Sequence, residues 1–470
     1  MVLASRHLRL ASLTVLGIVG IIVLMMSSSA RQLPPTGLLF VDDTAGTTPH
    51  DGSDWAHAFL TLDAAISAAS SGDTIWVAEG TYPAPLAGTD GFVVTKRLNI
   101  YGGFNGTEAT LDTRVGHFEA TILDGGGATR VVTVSGVAGT PVVIDGFQIK
   151  DGVGIASSYG AGFNGGGIYS GTSNLNLANC LFKHNISGAS GGGLYFAGVS
   201  GTPNTLNMKL CEYRDNHAED YGGAIYGAFL TTGDVVNTLF NSNYTILHDG
   251  GAVYLTDMGT SNQLWFTNGI FWRNYASATG SKGGGMALGQ SGTTAATAAN
   301  ARIVNCTFVG NAVPVGGDGQ ALNNSTSSHC EFYNSIAWFN NDATYPTAVP
   351  VVGVLAIEYS DIESIGASPF YHIINSDPFF RSLGSPSGLT LRGPQPLAIP
   401  PFVGSDCIDH ADYTKLPNDN LDVNEDGTTG GAIPWDMGRA GRTNDWGPTT
   451  PNQGYPSTLD YMDMGAYEKQ

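Results

Sequence analysis

Short apolar segments recur along the chain, separated by polar or glycine-rich residues. Leu175-Asn176-Leu177 is typical, with apolar and polar positions alternating. A period of two predicts β-strands, and segments this short cannot bury a core by themselves. Residues 60–69 differ, because Leu62, Ile66 and Ala69 fall on one face of a helix. The pattern predicts an all-β chain with one N-terminal helix.

Two half-repeats alternate through the middle of the chain. The first reads Gly-Gly, then Gly or Ala, an aliphatic residue and Tyr; it ends at Tyr169, Tyr195, Tyr226, Tyr254 and, in a decayed copy, Ala287. The second is an aromatic residue followed three positions later by Asn. Its asparagines are Asn185, Asn216, Asn243, Asn274, Asn311 and, in a copy without the ring, Asn340. Successive asparagines are 31, 27, 31, 37 and 29 residues apart.

A repeat of this length, made of short strands, predicts a right-handed parallel β-helix. Each coil lies on the previous one, so equivalent residues form columns, with the aliphatic and aromatic columns inside. The Gly-Gly pairs predict one bend. The asparagines predict the opposite bend, where they tolerate left-handed geometry and bond along the stack. The N-terminal helix is suited to covering the open end of the core.

The chain divides into four parts by composition. Residues 1–30 combine Arg6 and Arg9 with an apolar run and small residues ending at Ala30, which predicts a cleaved signal peptide, with an uncleaved anchor as the alternative. Residues 31–38 are a linker and residues 39–341 the β-helix. Residues 342–470 are degraded final coils and a loop-rich C-terminal cap. We expect a secreted or cell-surface protein that meets a membrane only through an uncleaved N-terminal segment.

Composition narrows the possible partners. The 470 residues carry a formal net charge of −20 and only 13% charged residues, which excludes a basic nucleic-acid binder.

Five cysteines are too few and too scattered for a disulfide framework. Cys180 and Cys211 fall in one column of adjacent coils. Buried free thiols are the favoured interpretation there, and a disulfide between the two is the alternative.

The repeats resemble those of a known group of proteins. Gly222 to Ile225 and Phe240 to Asn243 resemble the repeats of the polymorphic outer-membrane proteins and other pectin-lyase-like β-helices. With the ending Asp463 to Glu468, the mature chain resembles exported bacterial proteins with a choice-of-anchor Q domain. The resemblance implies an adhesive, structural or surface-layer role, with cell-envelope components as partners.

No set of acids and bases converges in the repeats, so we assign no catalytic residues and favour a non-enzymatic structural, adhesive or glycan-binding role. A polysaccharide lyase or glycoside hydrolase acting on acidic glycans stays open as an alternative, and so does a self-assembling sheath or filament subunit. The candidate carbohydrate-binding residues are one column of tyrosines and two basic residues on adjacent coils: Tyr169, Tyr195, Tyr226, Tyr254, Lys183 and Arg214.

A candidate metal site lies near the C-terminus. Asp422, Asn424 and Asp426 place oxygen ligands at alternate positions before a turn glycine, which resembles a calcium loop. Position twelve of the loop is Ile433 and not the Glu of an EF-hand. We therefore expect at most a calcium-stabilised loop, and a solvated turn is the alternative.

Overall fold

The computed structural model describes residues 37–86, 90–114, 118–154, 162–199, 203–230, 233–258, 262–289, 299–325, 328–338, 340, 351–354, 356–363 and 371–374. Within these ranges there is one α-helix, α1 (Leu62–Ala68), and a short 3-10 helix, Leu111–Thr113. No helix in the described ranges is long and apolar enough to cross a membrane. The strands, in chain order, are β1 (Leu38–Val41), β2 (Thr74–Ala78), β3 (Gly80–Pro83), β4 (Phe92–Val94), β5 (Asn99–Phe104), β6 (Thr121–Asp124), β7 (Val132–Ser135), β8 (Val142–Asp145), β9 (Gln148–Lys150), β10 (Val153–Gly154), β11 (Ile168–Gly171), β12 (Leu175–Ala178), β13 (Leu181–Lys183), β14 (Ile186–Ser187), β15 (Leu194–Ala197), β16 (Leu206–Lys209), β17 (Glu212–Arg214), β18 (His217–Ala218), β19 (Ile225–Ala228), β20 (Gly233–Val236), β21 (Leu239–Asn241), β22 (Tyr244–Thr245), β23 (Val253–Thr256), β24 (Leu264–Thr267), β25 (Ile270–Trp272), β26 (Tyr275–Ala276), β27 (Met286–Leu288), β28 (Asn300–Val304), β29 (Thr307–Val309), β30 (Leu322–Asn324), β31 (His329–Tyr333), β32 (Ile336–Trp338), β33 (Val351–Val352), β34 (Ala356–Ile362) and β35 (Tyr371–Ile374).

The strands form three sheets. Sheet A has 21 strands, sheet B has nine (β4, β7, β11, β15, β19, β23, β27, β30, β33) and sheet C has five (β10, β14, β18, β22, β26). Each regular coil runs from sheet B through two strands of sheet A to sheet C, as β11, β12, β13 and β14 do. The first sheet A strands of successive coils form a row that we call row A1. The second sheet A strands form a parallel row that we call row A2.

Strand pairing runs from coil to coil and is parallel in every pair of described strands. In sheet B, β15 pairs with β11 on one side and β19 on the other, and Tyr195 lies between Tyr169 and Tyr226. Stacked coils that pair only with their neighbours define a parallel β-helix, which confirms the predicted fold class.

The core consists of columns of equivalent side chains. The aliphatic column of sheet B is buried throughout its length: Ile168, Leu194, Ile225, Val253 and Met286. The aromatic column of row A2 is stacked ring on ring, with centroid separations of 4.4, 5.5, 4.6 and 4.2 Å along Phe182, Tyr213, Phe240, Phe271 and Phe308. Neighbouring strands pair in register and each coil repeats the same inward positions, so the side chains of both columns are aligned along the axis.

Glycine is required at the bend into sheet B. Gly222, with φ of 64°, has the left-handed conformation, and a Cβ there would lie 2.1 Å from the carbonyl oxygen of Ile225. Gly165, Gly191, Gly250 and Gly283 repeat this geometry. Any side chain there would collide with the backbone of the sheet B strand that follows directly, which explains why glycine recurs at this position.

Asparagines form a hydrogen-bonded ladder at the bend between row A2 and sheet C. Asn243 Nδ2 donates to Asn274 Oδ1 at 3.0 Å and to the carbonyl of Tyr213 at 2.9 Å. Its Oδ1 accepts from the backbone N–H and the Nδ2 of Asn216. Asn185, Asn216, Asn274, Asn311 and Asn340 continue the ladder, and all six are fully buried.

The ladder confirms the predicted bonding along the stack, but the prediction of left-handed asparagines is wrong. The residue before each of the first five asparagines has the positive φ, for example 54° at His184 and 56° at Ser242. A left-handed residue turns the chain there, and the next side chain then points into the core. The amide therefore needs ordinary backbone geometry to reach its partners.

A second ladder, which sequence reasoning missed, lies at the bend between rows A1 and A2. Gly269 N–H donates to Cys306 Sγ at 3.2 Å, Cys306 N–H to Ser335 Oγ at 3.0 Å, and Ser335 N–H to Ser360 Oγ at 3.2 Å. Small polar side chains thus satisfy backbone N–H groups that strand pairing leaves free. The irregular residue types in this column concealed it in the sequence.

Helix α1 covers the N-terminal end of the core. Its Leu62, Ala65 and Ile66 are buried, and so is Ala69 just beyond its end. Thr61 caps the first turn. Lys96 Nζ donates to the carbonyl oxygens of Ile66, Ser67 and Ala69 at the last turn, at 3.1, 3.0 and 2.7 Å. The helix is thereby fixed to the coils beneath it, as the capping role requires.

Candidate functional site

The outer face of row A2 carries a column of basic side chains. Lys150, Lys183 and Arg214 occupy the same position of β9, β13 and β17, one strand apart. Asp124 precedes them in this register and Asn241 follows. All five are partly exposed. Parallel strands are spaced by about 4.8 Å, so three cations lie in a row along the helix axis.

The two outer cations of the column are neutralised within the protein. Lys150 Nζ lies 2.6 Å from Asp124 and 2.8 Å from Asp151, and these hydrogen bonds, Asp124 first, raise the pKa of Lys150. Arg214 contacts Glu212 through Nε at 2.7 Å and Nη2 at 2.5 Å. Each of these carboxylates therefore already has a cation as its partner.

Lys183 lies between them and has no such partner. Among the residues that the structure describes, its ammonium group makes no ion pair and no side-chain hydrogen bond. At the following bend, Asp151 and Asp215 flank His184 Nδ1 and Nε2 at 3.7 and 3.6 Å. Lys183 is consequently the cation of this column that is available to an anionic ligand.

Polar amides continue the face on row A1 of the same coils. Asn207 Nδ2 donates to Asn176 Oδ1 at 3.2 Å, and Asn207 Oδ1 accepts from the backbone N–H of Asp234. Both asparagines are partly exposed. The outer face of sheet A therefore offers amides beside a cation, which is the combination that binds carboxylates and hydroxyls.

The outer face of sheet A becomes aromatic toward later coils. The Arg302 guanidinium lies 4.4 Å from the Trp265 ring centroid and 5.1 Å from that of Tyr333, and Arg273 lies 4.4 Å from that of Trp272. Sequence reasoning missed this cluster, because the tryptophans do not belong to either half-repeat. Their outward strand positions were the available signal. Arginines already cover one ring face of Trp265 and Trp272.

The predicted tyrosine column is present on sheet B. Tyr169, Tyr195, Tyr226 and Tyr254 stack nearly parallel, with centroids 5.3, 4.9 and 5.9 Å apart. Their ring faces therefore contact each other and not solvent. Burial raises the pKa of Tyr195 to about 12. That these tyrosines bind carbohydrate stays a prediction, and only edges and hydroxyls are placed to do so.

A buried cation ends the tyrosine stack. The Arg130 guanidinium, with a fully buried side chain, lies 5.5 Å from the Tyr169 ring centroid and 3.1 Å from Asp90. It also donates to the carbonyl oxygens of Asn164 and Gly165. Desolvation lowers the pKa of Arg130 to about 10, against the opposing charge of Asp90. These contacts tie three coils together.

The cysteines and the predicted metal site are the remaining candidate residues. Cys180, Cys211, Cys306 and Cys330 are free and buried, and burial raises the pKa of the Cys211 thiol well above its usual range. Asp422, Asn424 and Asp426 lie outside the described residues. Within the described ranges, no group of three or more His, Cys, Asp or Glu side chains could hold a metal ion.

Comparisons with known proteins add two similar structures. The first is a crystal structure of the pectate lyase Pel9A, at 13% identity and a TM-score of 0.41, covering 92% of this chain and 96% of the lyase. The second is a pectin methylesterase from Aspergillus niger, at 13% identity and a TM-score of 0.28, covering 74% of this chain and 88% of the esterase. No protein-family model and no curated protein matches the sequence. The assignment as a parallel β-helix rests on the strand register described above.

Proposed function

We propose that the protein is an exported β-helix that binds an acidic polysaccharide along the outer face of row A2. The observation that carries this proposal is Lys183, a cation between Lys150 and Arg214 on adjacent coils that no described carboxylate pairs with. Asp124, Asp151 and Glu212 neutralise its two neighbours, and a ligand carboxylate would supply the counter-charge that Lys183 lacks. The site therefore favours an anion over a neutral sugar.

The arrangement of the column suits a linear polymer. Coils repeat at about 4.8 Å along the axis, and a polyuronate carries one carboxylate on each sugar. Asn176 and Asn207 supply amides for hydroxyl groups beside the cations. The partners of Lys150 and Arg214 limit the site to a short stretch of chain, which suits binding or display at a surface.

Export of the chain is part of this proposal. The apolar run within residues 1–30, with basic residues before it and small residues after it, supports secretion or surface location. A protein in that location meets envelope and extracellular polysaccharides. The formal net charge of −20 repels any long polyanion outside this local column, nucleic acid and polyuronate alike, so we expect contact with only a short stretch of polymer.

Binding can be measured with residues 31–470 by affinity electrophoresis in gels containing polygalacturonate, alginate or uncharged dextran. We expect retardation by the acidic polymers only. Lys183→Gln should weaken binding about tenfold, because a hydrogen bond to a charged group is lost. Lys282→Gln, at an exposed lysine on another side, is the matched control. Equal retardation of Lys183→Gln and wild type contradicts the proposal.

A polysaccharide lyase or hydrolase is the second candidate, because Glu212 and Arg214 lie beside Lys183. The same polymers, incubated with the protein with and without calcium, are then assayed for unsaturated products and reducing ends. Products that disappear in Lys183→Gln would replace a binding role with an enzymatic one. Polymer binding without any products supports the binding role.

A further inference from the structure

Exposed apolar side chains concentrate on one side of the β-helix. Ten large apolar side chains in the described residues are exposed by more than a third. Seven of the ten lie on sheet C or in the turns that follow its strands: Phe163, Ile186, Tyr244, Ile246, Leu247, Tyr275 and Val315. A concentration of exposed apolar side chains on one side of a protein marks an interaction site.

The fold does not require these apolar residues. Each strand of sheet C has two residues, and the second points inward and is small, as at Ser187, Ala218 and Ala276. The first points outward, where a polar residue would suffice. The outward column reads Val153, Ile186, His217, Tyr244 and Tyr275. We call this column, with Ile246 and Leu247, the sheet C stripe.

The side chains of the stripe are ordered by their neighbours. His217 and Tyr244 stack with centroids 4.7 Å apart, and Tyr221 and His248 stack in the adjacent turn at 4.7 Å. Ile186 and Tyr244 are 37% and 36% exposed, and Leu247 is 48% exposed. The stripe is therefore an apolar surface of ordered side chains that faces solvent.

The border of the stripe is acidic. On the first four coils, residues 151–154, 184–190, 215–221 and 242–249 contain five carboxylates and no Lys or Arg: Asp151, Asp215, Glu219, Asp220 and Asp249. The coil of Tyr275 adds Arg273 and Lys282, so these segments together keep an excess of three negative charges. A partner complementary to this surface combines apolar side chains with positive charge. A second copy of this chain, with a formal net charge of −20 and the same acidic border, would be repelled.

We propose that the sheet C stripe docks an extended, cationic and apolar polypeptide segment of a partner protein. Ile186, Ile246 and Leu247 are aliphatic, and aliphatic groups match Leu, Ile and Val side chains better than they match sugar rings. The outward column spans five strands, about 19 Å, which an extended segment of about six residues covers. This surface is separate from the basic column of row A2.

The test uses a fluorescent peptide that alternates Lys and Leu, with an alternating Glu and Leu peptide as the charge control. Fluorescence anisotropy with residues 31–470 should show saturable binding of the Lys peptide alone. The double substitution Ile186→Thr with Tyr244→Thr should weaken binding about tenfold, as loss of two central contacts does. Leu86→Thr, at an exposed apolar residue elsewhere, should leave binding unchanged.

The charges are tested separately. Glu219→Gln with Asp220→Asn should weaken binding several-fold at low salt and less at high salt, because exposed charges are screened. Asp112→Asn, at an exposed acid outside the stripe, is the control. Circular dichroism shows whether each variant keeps its fold. The substitutions are at solvent-facing positions and should not change it.

Three outcomes would overturn the proposal. No binding, or equal binding to both stripe variants, means that the stripe is not the docking surface. Equal binding of the Glu peptide means that charge plays no part. A concentration-dependent dimer of wild-type chain in sedimentation velocity, lost in Ile186→Thr with Tyr244→Thr, identifies a second copy as the occupant. Ile186→Thr with Tyr244→Thr should leave the retardation by polygalacturonate unchanged, so failure of this proposal and failure of the proposed function are distinguishable.

Discussion

A buried amide stabilises a fold only when its donors and its oxygen all have partners. Inside the asparagine ladder, as at Asn243, Nδ2 bonds to the next asparagine and to a backbone carbonyl, and Oδ1 accepts two hydrogen bonds. At the residue scale the protein is held by side chains that complete the bonding of the backbone at each bend.

Asn243→Ala tests this at the centre of the ladder. The substitution removes the acceptor of the Asn216 N–H and Nδ2 and the side-chain donor to the Tyr213 carbonyl, whereas Asn274 Oδ1 keeps the backbone N–H of residue 243. Each buried group left unsatisfied costs about 1–3 kcal/mol. We expect the free energy of unfolding, measured by urea denaturation, to fall by more than about 2 kcal/mol. Asn241→Ala, at a partly exposed outward position of the preceding strand β21, should change it by less than about 0.5 kcal/mol. Similar losses in both variants would contradict the account.

Asp90→Ala tests the buried ion pair. It leaves the Arg130 guanidinium buried without its carboxylate, and we expect a loss of about 3–5 kcal/mol in the free energy of unfolding. Asp124→Ala removes a carboxylate from the half-exposed Lys150 and should cost less than about 1 kcal/mol. If the two variants are equally stable by urea denaturation, Arg130 does not depend on Asp90.

At the scale of the element, columns of like side chains join one coil to the next. The aromatic column of row A2 stacks face to face inside the core, and the tyrosine column does the same on the outer face of sheet B. Ring faces that contact other rings contribute to packing and are not available to ligands. The same geometry therefore stabilises the rod and restricts where it can bind.

Phe271→Ala removes the ring between Phe240 and Phe308, whose centroids lie 4.6 and 4.2 Å from its own. A cavity between fixed strands cannot close, so we expect a loss of about 3–5 kcal/mol. Phe271→Leu should recover much of the lost free energy of unfolding. Thermal and urea denaturation give both values, and a loss below about 1 kcal/mol for the alanine variant would show that the column collapses around the gap.

His217 on sheet C gives a pH dependence. Burial lowers the pKa of its imidazole below the ordinary 6.5. The unfolded chain therefore takes up the proton at a higher pH than the folded chain does, and stability falls as the pH drops below 6.5 toward the folded-state pKa. His217→Gln should reduce this fall, as urea denaturation across this range would show. An unchanged pH profile in the variant would exclude His217 as the source.

At the scale of the whole molecule, each coil of the solenoid contacts only its neighbours, so energetic coupling should be short-ranged. Double-mutant cycles test this on one ladder. Asn243→Ala with Asn274→Ala share a hydrogen bond and should be non-additive by about 0.5 kcal/mol or more. Asn185→Ala with Asn311→Ala, several coils apart, should be additive within about 0.5 kcal/mol. Strong coupling in the distant pair would contradict nearest-neighbour behaviour.

Much of the fold could be predicted from the sequence. The glycine, aromatic and asparagine positions represented by Gly222, Phe240 and Asn243 recur from coil to coil, with successive asparagines 27 to 37 residues apart. A repeat of short strands can bury its apolar residues only by stacking. The columns and the register of Lys183 with Arg214 follow from that. The bend between rows A1 and A2 was not predictable in this way, because cysteine, serine, threonine and glycine all serve there.

The sequence by itself determined the parallel β-helix and its columns, because period and spacing leave one way to bury the apolar positions. Only the tertiary structure decided which charges are free. Lys150 and Arg214 are paired because Asp124 and Glu212 reach them, whereas no carboxylate of the described residues pairs with Lys183. Tertiary contacts also turned the tyrosine faces onto one another and left the sheet C stripe uncovered. Such differences depend on distances of a few ångströms, which strand spacing alone does not specify.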